Sequence, residues 1–186
     1  MMPTTATKLL TAEEFERLPD PGDGSRQELV RGEVITMPGP NWQHGEIAAN
    51  VAVAIKLFLR KNKIGRVTVE GGNITERGPD TVRSPDVSFM SMERMPLDEK
   101  MDRYAEGAAD LCVEVLSPSN TRAEMNEKIA EYFAGGSRLV WVVDPKKRTV
   151  TVYTGPKTSR IVKDDAVLDG GDVLPGFACP VAEFFE

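Results

Sequence analysis

The stretch "RSPDVSFM" at residues 83–90 and the stretch "DLCVEVLSPSN" at residues 110–120 decide how this chain is read. Each has the Val, Leu or Phe content of a buried strand, and each carries a carboxylate among its apolar residues. Side chains alternate along a strand. In "LCVEVL", Leu111, Val113 and Val115 point one way, while Cys112, Glu114 and Leu116 point the other. Asp86 shares a face with Ser84 and Ser88, opposite Pro85, Val87 and Phe89. Consecutive strands tend to be neighbours, which sets Asp86 and Glu114 side by side. Two such carboxylates repel, and desolvation raises at least one pKa unless a cation lies between them. A hard divalent cation suits the pair, since Mg²⁺ binds through one or two carboxylates and keeps several waters. A solvated or hydrogen-bonded polar sheet face accounts for the same two residues.

Working outward, "TAEEFERLP" reads as a short helix with Thr11 as N-cap and Glu14 completing a capping box. "RQELVRGEVITM" follows as two short strands around Arg31-Gly32, an N-terminal hairpin extension. Pro38, Gly39 and Pro40 break the chain, and Asn41 caps a long helix from Trp42 to about Lys61. On it Ile47, Val51, Ala54 and Phe58 share one face. "RVTVEGGNIT", "VRSPDVSFM" and "DLCVEVLS" are read as three strands. A second helix covers about Arg122 to Ala134, with Thr121 and Glu124 as its capping box. "RLVWVVDPKKRTVTVYT" supplies two more strands, and "GDVLPGFACPVAEFFE" a Gly/Pro-punctuated end with a short amphipathic segment. The order helix, three strands, helix, strand predicts an α/β domain spanning 1–186, a mixed β-sheet flanked by helices.

The charge balance limits the partners. With 23 basic against 29 acidic residues the formal charge is −6, which does not favour strong non-specific binding to nucleic acid. A local basic patch or bound divalent cations can reverse the field at a site. Cys112 and Cys179 have neither metal nor redox spacing and are expected reduced and partly buried. The opening "MMPTTATKLLTAEEF" has no hydrophobic run of signal-peptide length, and no segment approaches a membrane span. A cytoplasmic protein with no membrane partner is the simplest expectation.

Two further residues have two readings each. On "RAEMNEKIAEYF" the apolar side is Met125, Ile129 and Phe133, and Lys128 lies on its flank. There it either leans over the sheet edge, orienting a water and offsetting charge on phosphate, or forms an exposed pair with Glu124 at i,i+4. His44, the one histidine, faces inward with Ile47, Ala48 and Val51. It is either a neutral, hydrogen-bonded core histidine at a helix N-terminus or a site residue touching water, metal or substrate. Glu28 and Glu33 flank the hairpin turn, where exposure accounts for both. Glu70, before Gly71-Gly72, is an optional extra ligand.

The order "SPD", "EVLSPSN", "EKIAEYFAGG" and "LVWVVDP" resembles the bacterial Uma family, grouped with the restriction-endonuclease-like PD-(D/E)XK nucleases. The resemblance runs from "TAEEFERLP" and "QELVRGEVITMPGP" through "LPGF". It implies a restriction-endonuclease-like core in which Asp86 and Glu114 bind a catalytic Mg²⁺ or Mn²⁺. The superfamily's usual lysine stands two residues after the second acid, where this chain has Leu116. Lys128 in "NEKIAEY" matches a lysine moved to the following helix. His44 and Glu28 match family positions and are supporting members of the site.

The function so implied is metal-dependent hydrolysis of phosphodiester bonds in DNA, with Asp86, Glu114, Lys128 and His44 as its catalytic residues. Its rivals are a non-catalytic nucleic-acid-binding or oligomeric module on the same fold, and a hydrolase of smaller phosphate compounds. A homodimer paired through "RLVWVVDP" or the hairpin as edge strand suits a nuclease that cuts both strands.

Overall fold

Thr11 accepts the backbone N–H of Glu14 while the Glu14 carboxylate accepts that of Thr11, so the capping box forms and starts helix α1 (Ala12–Glu16). Strands β1 (Arg26–Val30) and β2 (Glu33–Met37) make the expected hairpin. Arg31 and Gly32 both adopt positive φ at its turn, as a two-residue connection with the right twist demands. Asn41 caps helix α2 (Trp42–Lys61). Strands β3 (Gly65–Val69), β4 (Asn73–Glu76), β5 (Thr81–Arg83), β6 (Val87–Ser91), β7 (Ala105–Glu106) and β8 (Leu111–Val115) follow. The second capping box, Thr121 with Glu124, opens helix α3 (Arg122–Ala134). Then come β9 (Leu139–Asp144), β10 (Thr149–Gly155), β11 (Thr158–Lys163), β12 (Val167–Gly170), β13 (Leu174–Pro180) and a 3₁₀ helix, Val181–Phe185. This computed structural model describes residues 8–186. Residues 1–7, where the absence of a leader was in part expected, lie outside them.

The strands form a six-stranded sheet ordered β11-β10-β9-β8-β6-β3, a five-stranded sheet ordered β2-β1-β5-β4-β7, and the β12-β13 pair. β8 and β9 are parallel, joined by the α3 crossover, while β6 pairs antiparallel with β8. The predicted alternation on β8 holds. Leu111, Val113 and Val115 pack with Ile47, Val51 and Ile55 of α2, and Cys112 packs with Met125, Ile129 and Tyr132 of α3. The large sheet therefore lies between the two helices, and Glu114 points to the α3 side. Both cysteines are free and buried. No helix among the described residues is long and apolar enough to cross a membrane.

Several expectations change. "VRSPDVSFM" is not one strand: β5 belongs to the five-stranded sheet and β6 to the six-stranded one. The break falls at Ser84-Pro85-Asp86, where proline has no N–H to give a ladder. "RVTVEGGNIT" divides likewise into β3 and β4. There Glu70 adopts φ +54, and a Cβ on Gly72 would run into the Tyr104 ring. The hairpin is built into the smaller sheet, since Leu29 of β1 pairs with Val82 of β5. On α3 the buried side is Met125, Ile129 and Tyr132, with Phe133 only half-buried. Ala54 and Phe58 flank the buried stripe of α2, which is His44, Ile47, Ala48, Val51, Ile55 and Leu59. β9 lies between β8 and β10, so it has no free edge for a dimer partner; β2 has one.

Candidate active site

The break after β5 is what presents Asp86. The Ser84 N–H donates to Glu28 Oε1 at 3.2 Å, and the Val115 N–H donates to Asp86 Oδ2 at 2.7 Å. Asp86 thus completes the edge of β8 with its side chain where the backbone ladder stops. It is buried, at 2% exposure. Its Oδ1 accepts from both Nη atoms of Arg26 at 3.0 Å, and its Oδ2 lies 3.1 Å from His44 Nε2. Arg26 also reaches Glu70 Oε1 at 2.7 Å.

Glu114 faces α3. Its Oε1 accepts from the Tyr132 hydroxyl, and Lys128 Nζ stands 3.4 and 3.5 Å from its two oxygens. Lys128 also donates to Glu28 Oε1 at 3.0 Å. The other oxygen of Glu28 accepts from Arg83 Nη1 at 2.8 Å, and Arg83 Nε reaches Glu131 Oε2 at 2.6 Å. The result is a buried chain of alternating charge linking β1, β5, β8 and α3.

The carboxyls respond in opposite directions. Burial pushes Glu114 up to about 7; Lys128 offsets part of this, and the nearby Asp86 and Glu28 charges add to it. Burial also acts to raise Asp86, but hydrogen bonding and charge from His44, the Val115 N–H and Arg26 outweigh it and hold the carboxyl low. Glu28 is likewise held low, since Lys128 and Arg83 overcome its burial. Lys128 is raised: burial acts against its charge, but Glu114 and Glu28 outweigh that.

All five residues singled out from the sequence therefore meet in one cluster. Asp86 contacts His44, Glu114 contacts Lys128, and Glu28 joins Lys128 to the Asp86 segment. Two readings are corrected. Glu28 is not an exposed hairpin residue but 2% exposed. Lys128 pairs with Glu28 and Glu114, while Glu124 spends its carboxylate on Thr121. Glu70 shares Arg26 with Asp86, and its N–H donates to the Asp86 carbonyl at 3.3 Å. Glu33 is exposed, as expected.

Sequence reasoning missed Arg26, Arg83, Tyr132 and Glu131. Tyr132 was visible one turn beyond Lys128, and Arg83 directly precedes the Ser-Pro-Asp segment. Nothing in the sequence marked Arg26 or Glu131.

The donor set is a pair of buried carboxylates, hard oxygen ligands that fit Mg²⁺ or Mn²⁺ with waters making up the shell. Burial is the main cause of the raised Glu114 pKa, with the Asp86 and Glu28 charges adding to it, and a cation bound there would favour the ionised carboxylate. Among the described residues, no group of three or more His, Cys, Asp and Glu side chains is placed to hold a metal ion, so an all-protein cage is absent there.

The crystal structure of "a putative nuclease belonging to DUF820" from Anabaena variabilis ATCC 29413 superposes with a TM-score of 0.77 at 22% identity. The match covers 95% of this chain and 97% of that one. At that identity the likeness speaks for the fold, which is α/β and restriction-endonuclease-like. No curated protein matches the chain. The Uma2 family, described as "Putative restriction endonuclease", matches residues 12–182. A match over nearly the whole length shows that the chain belongs to the Uma2 family.

Proposed function

We propose that this protein is a metal-dependent endonuclease, acting in the cytoplasm, that hydrolyses phosphodiester bonds in DNA. One observation carries the reading. A lysine from α3 reaches both Glu114 and Glu28 on the sheet side that Glu114 faces, although the position two residues after Glu114 is Leu116. The lysine missing from the strand is supplied by the next helix.

Asp86 and Glu114 would hold the ion. When bound, Mg²⁺ or Mn²⁺ polarises the phosphate and makes a water more acidic. The protein's own groups supply the rest. Lys128 directs the attacking water and offsets charge developing on the phosphate oxygens. Glu28 keeps the ammonium in place and pins the segment carrying Asp86. His44 and the Val115 N–H orient Asp86, and Tyr132 orients Glu114. Arg26 occupies Oδ1 of Asp86 and must yield that oxygen.

The test is calorimetric titration of Mn²⁺ with Asp86→Ala as control, and cleavage assays of the same samples on plasmid and single-stranded DNA. Saturable binding and cleavage that both vanish in the variant support the reading. Wild-type protein that neither binds Mn²⁺ nor cuts DNA overturns it. One observation favours a non-catalytic nucleic-acid-binding or oligomeric module instead: Arg26 and Lys128 already give Asp86 and Glu114 cationic partners. That second outcome is the one it predicts. A homodimer joined along the free edge of β2 belongs to the proposal, and sedimentation equilibrium tests it.

A further inference from the structure

Beside the carboxylate cluster is a cavity of about 210 Å³ that the chemistry above does not use. The first turn of α2, the loop after β8 and the turn after β9 line it. His44 links the two places, since it lines the cavity and its Nε2 lies 3.1 Å from Asp86 Oδ2. It is 6% exposed, and its Nδ1 has no hydrogen-bond partner among the described residues.

The polar lining is mostly neutral. Asn41 Oδ1 is taken by the His44 N–H, and Asn120 Oδ1 by the Ser117 N–H and hydroxyl. Both amide NH₂ groups are left as donors. Gln43 makes no side-chain hydrogen bond among the described residues, so its amide offers a donor and an acceptor. Pro118 and Pro145 add apolar wall. The one carboxylate, Asp144, is already held by Lys147 Nζ at 3.0 Å and by the N–H groups of Lys146 and Lys147. Lys146 lines the cavity and forms no ion pair among the described residues. Trp42, between Asn41 and Gln43, is 88% exposed.

Neutral donors and acceptors in a cleft open to solvent, with an apolar wall and, next in the chain to two of its lining residues, an exposed indole, match the edge and the face of a nucleobase. A base inside a duplex stack cannot enter such a space; an unpaired or extruded one can. The charge balance points the same way. A protein with a formal charge of −6 gains little from neutralising phosphates along a duplex, so uncharged base contacts must supply affinity.

We propose that this cavity receives one unpaired nucleobase of the substrate strand next to the scissile phosphate. Trp42 stacks on a neighbouring base, the amides of Asn41, Gln43 and Asn120 bond the base edge, and Lys146 pairs with the flanking phosphate. The inference rests on the nuclease reading of the adjacent carboxylates and gives it a substrate class: strands with unpaired bases.

Tryptophan emission tests it directly. The chain has two tryptophans, and Trp141 is fully buried, so quenching by an added strand reports on Trp42. The full chain in EDTA is titrated with a thymidine oligomer about ten nucleotides long, within the usual site size. A duplex and an abasic strand of the same length serve as comparisons. Anisotropy of an end-labelled oligomer gives Kd for Trp42→Ala and Gln43→Ala. The expected result is quenching by the single strand, much weaker binding of duplex and abasic strand, and a Kd raised about 10- to 100-fold in Trp42→Ala. Equal binding of the abasic strand, or variants that bind as wild type, overturns the subsite. Metal-dependent cleavage lost in Asp86→Ala would still stand in that case. Absence of binding to any nucleic acid, together with absence of cleavage, overturns both the subsite and the nuclease.

Discussion

Lys128 on α3 donates to Glu28 on β1 across 3.0 Å, although one hundred residues separate them in the chain. That contact turns the ammonium away from Glu124, one turn earlier on its own helix, and toward the face that holds Glu114. A buried, paired lysine keeps its charge and its direction, which a solvated one does not.

Lys128→Met is expected to slow metal-dependent cleavage about 100-fold, the scale of losing one preorganised donor. Glu124→Ala, which touches only the cap, should cut at the wild-type rate. Initial rates on plasmid DNA compare the two, with urea unfolding to show that both variants fold. Equal losses would remove Lys128 from the chemistry.

Glu28 bonds Lys128, Arg83 and the Ser84 N–H, so its loss strands buried partners. Glu28→Ala should destabilise the fold by about 3 kcal/mol, as breaking a buried ion pair does. Glu28→Gln keeps an acceptor for the Ser84 N–H and should cost less. Urea denaturation midpoints read the difference.

Glu114 is pushed up to about 7 in the fold from an ordinary value of 4.5. Between those values the native state holds a proton that the unfolded chain has released, so stability falls as pH rises through that window. The slope for one proton is at most about 1.4 kcal/mol per pH unit. Asp86 and Glu28 are shifted the other way, and their contributions fade only as pH falls below ordinary carboxylate values. In metal-free protein, wild type should lose Tm relative to Glu114→Gln as pH rises from 4.5 to 7. Parallel curves for the two proteins would contradict this.

Arg26 holds Asp86 Oδ1, so a divalent cation at the proposed site would have to compete with it. Arg26→Gln should therefore bind Mn²⁺ more tightly while lowering the Tm of the metal-free protein. Calorimetry and a thermal melt on one preparation measure both. Weaker Mn²⁺ binding in the variant would make Arg26 an ally of the ion rather than its competitor.

Much of the fold was legible because the signals are local. Both capping boxes, the Arg31-Gly32 turn, the cap at Asn41 and the alternation on β8 depend on residues a few positions apart. The edge strand β11 was not legible: most of its side chains are exposed, so it has no two-sided pattern to read. β12 and β13 were hidden behind Gly and Pro that look like loop. Tyr132 displaced Phe133 from the buried side of α3 because its hydroxyl has a partner in Glu114, a reason that lies on another element.

By itself the sequence determined the α/β order of elements, the face of β8 that carries Glu114 and, through its resemblance to a family, which five side chains to watch. Only the tertiary structure decided their environments. Burial of Glu28, the choice of Lys128 between Glu124 and Glu28, and the clasp of Arg26 on Asp86 join β1 to distant segments of the chain. Local propensity and periodicity act over a turn or a pleat. Desolvation and charge pairing depend on distance in space, which exists only once the two sheets and the helices have packed.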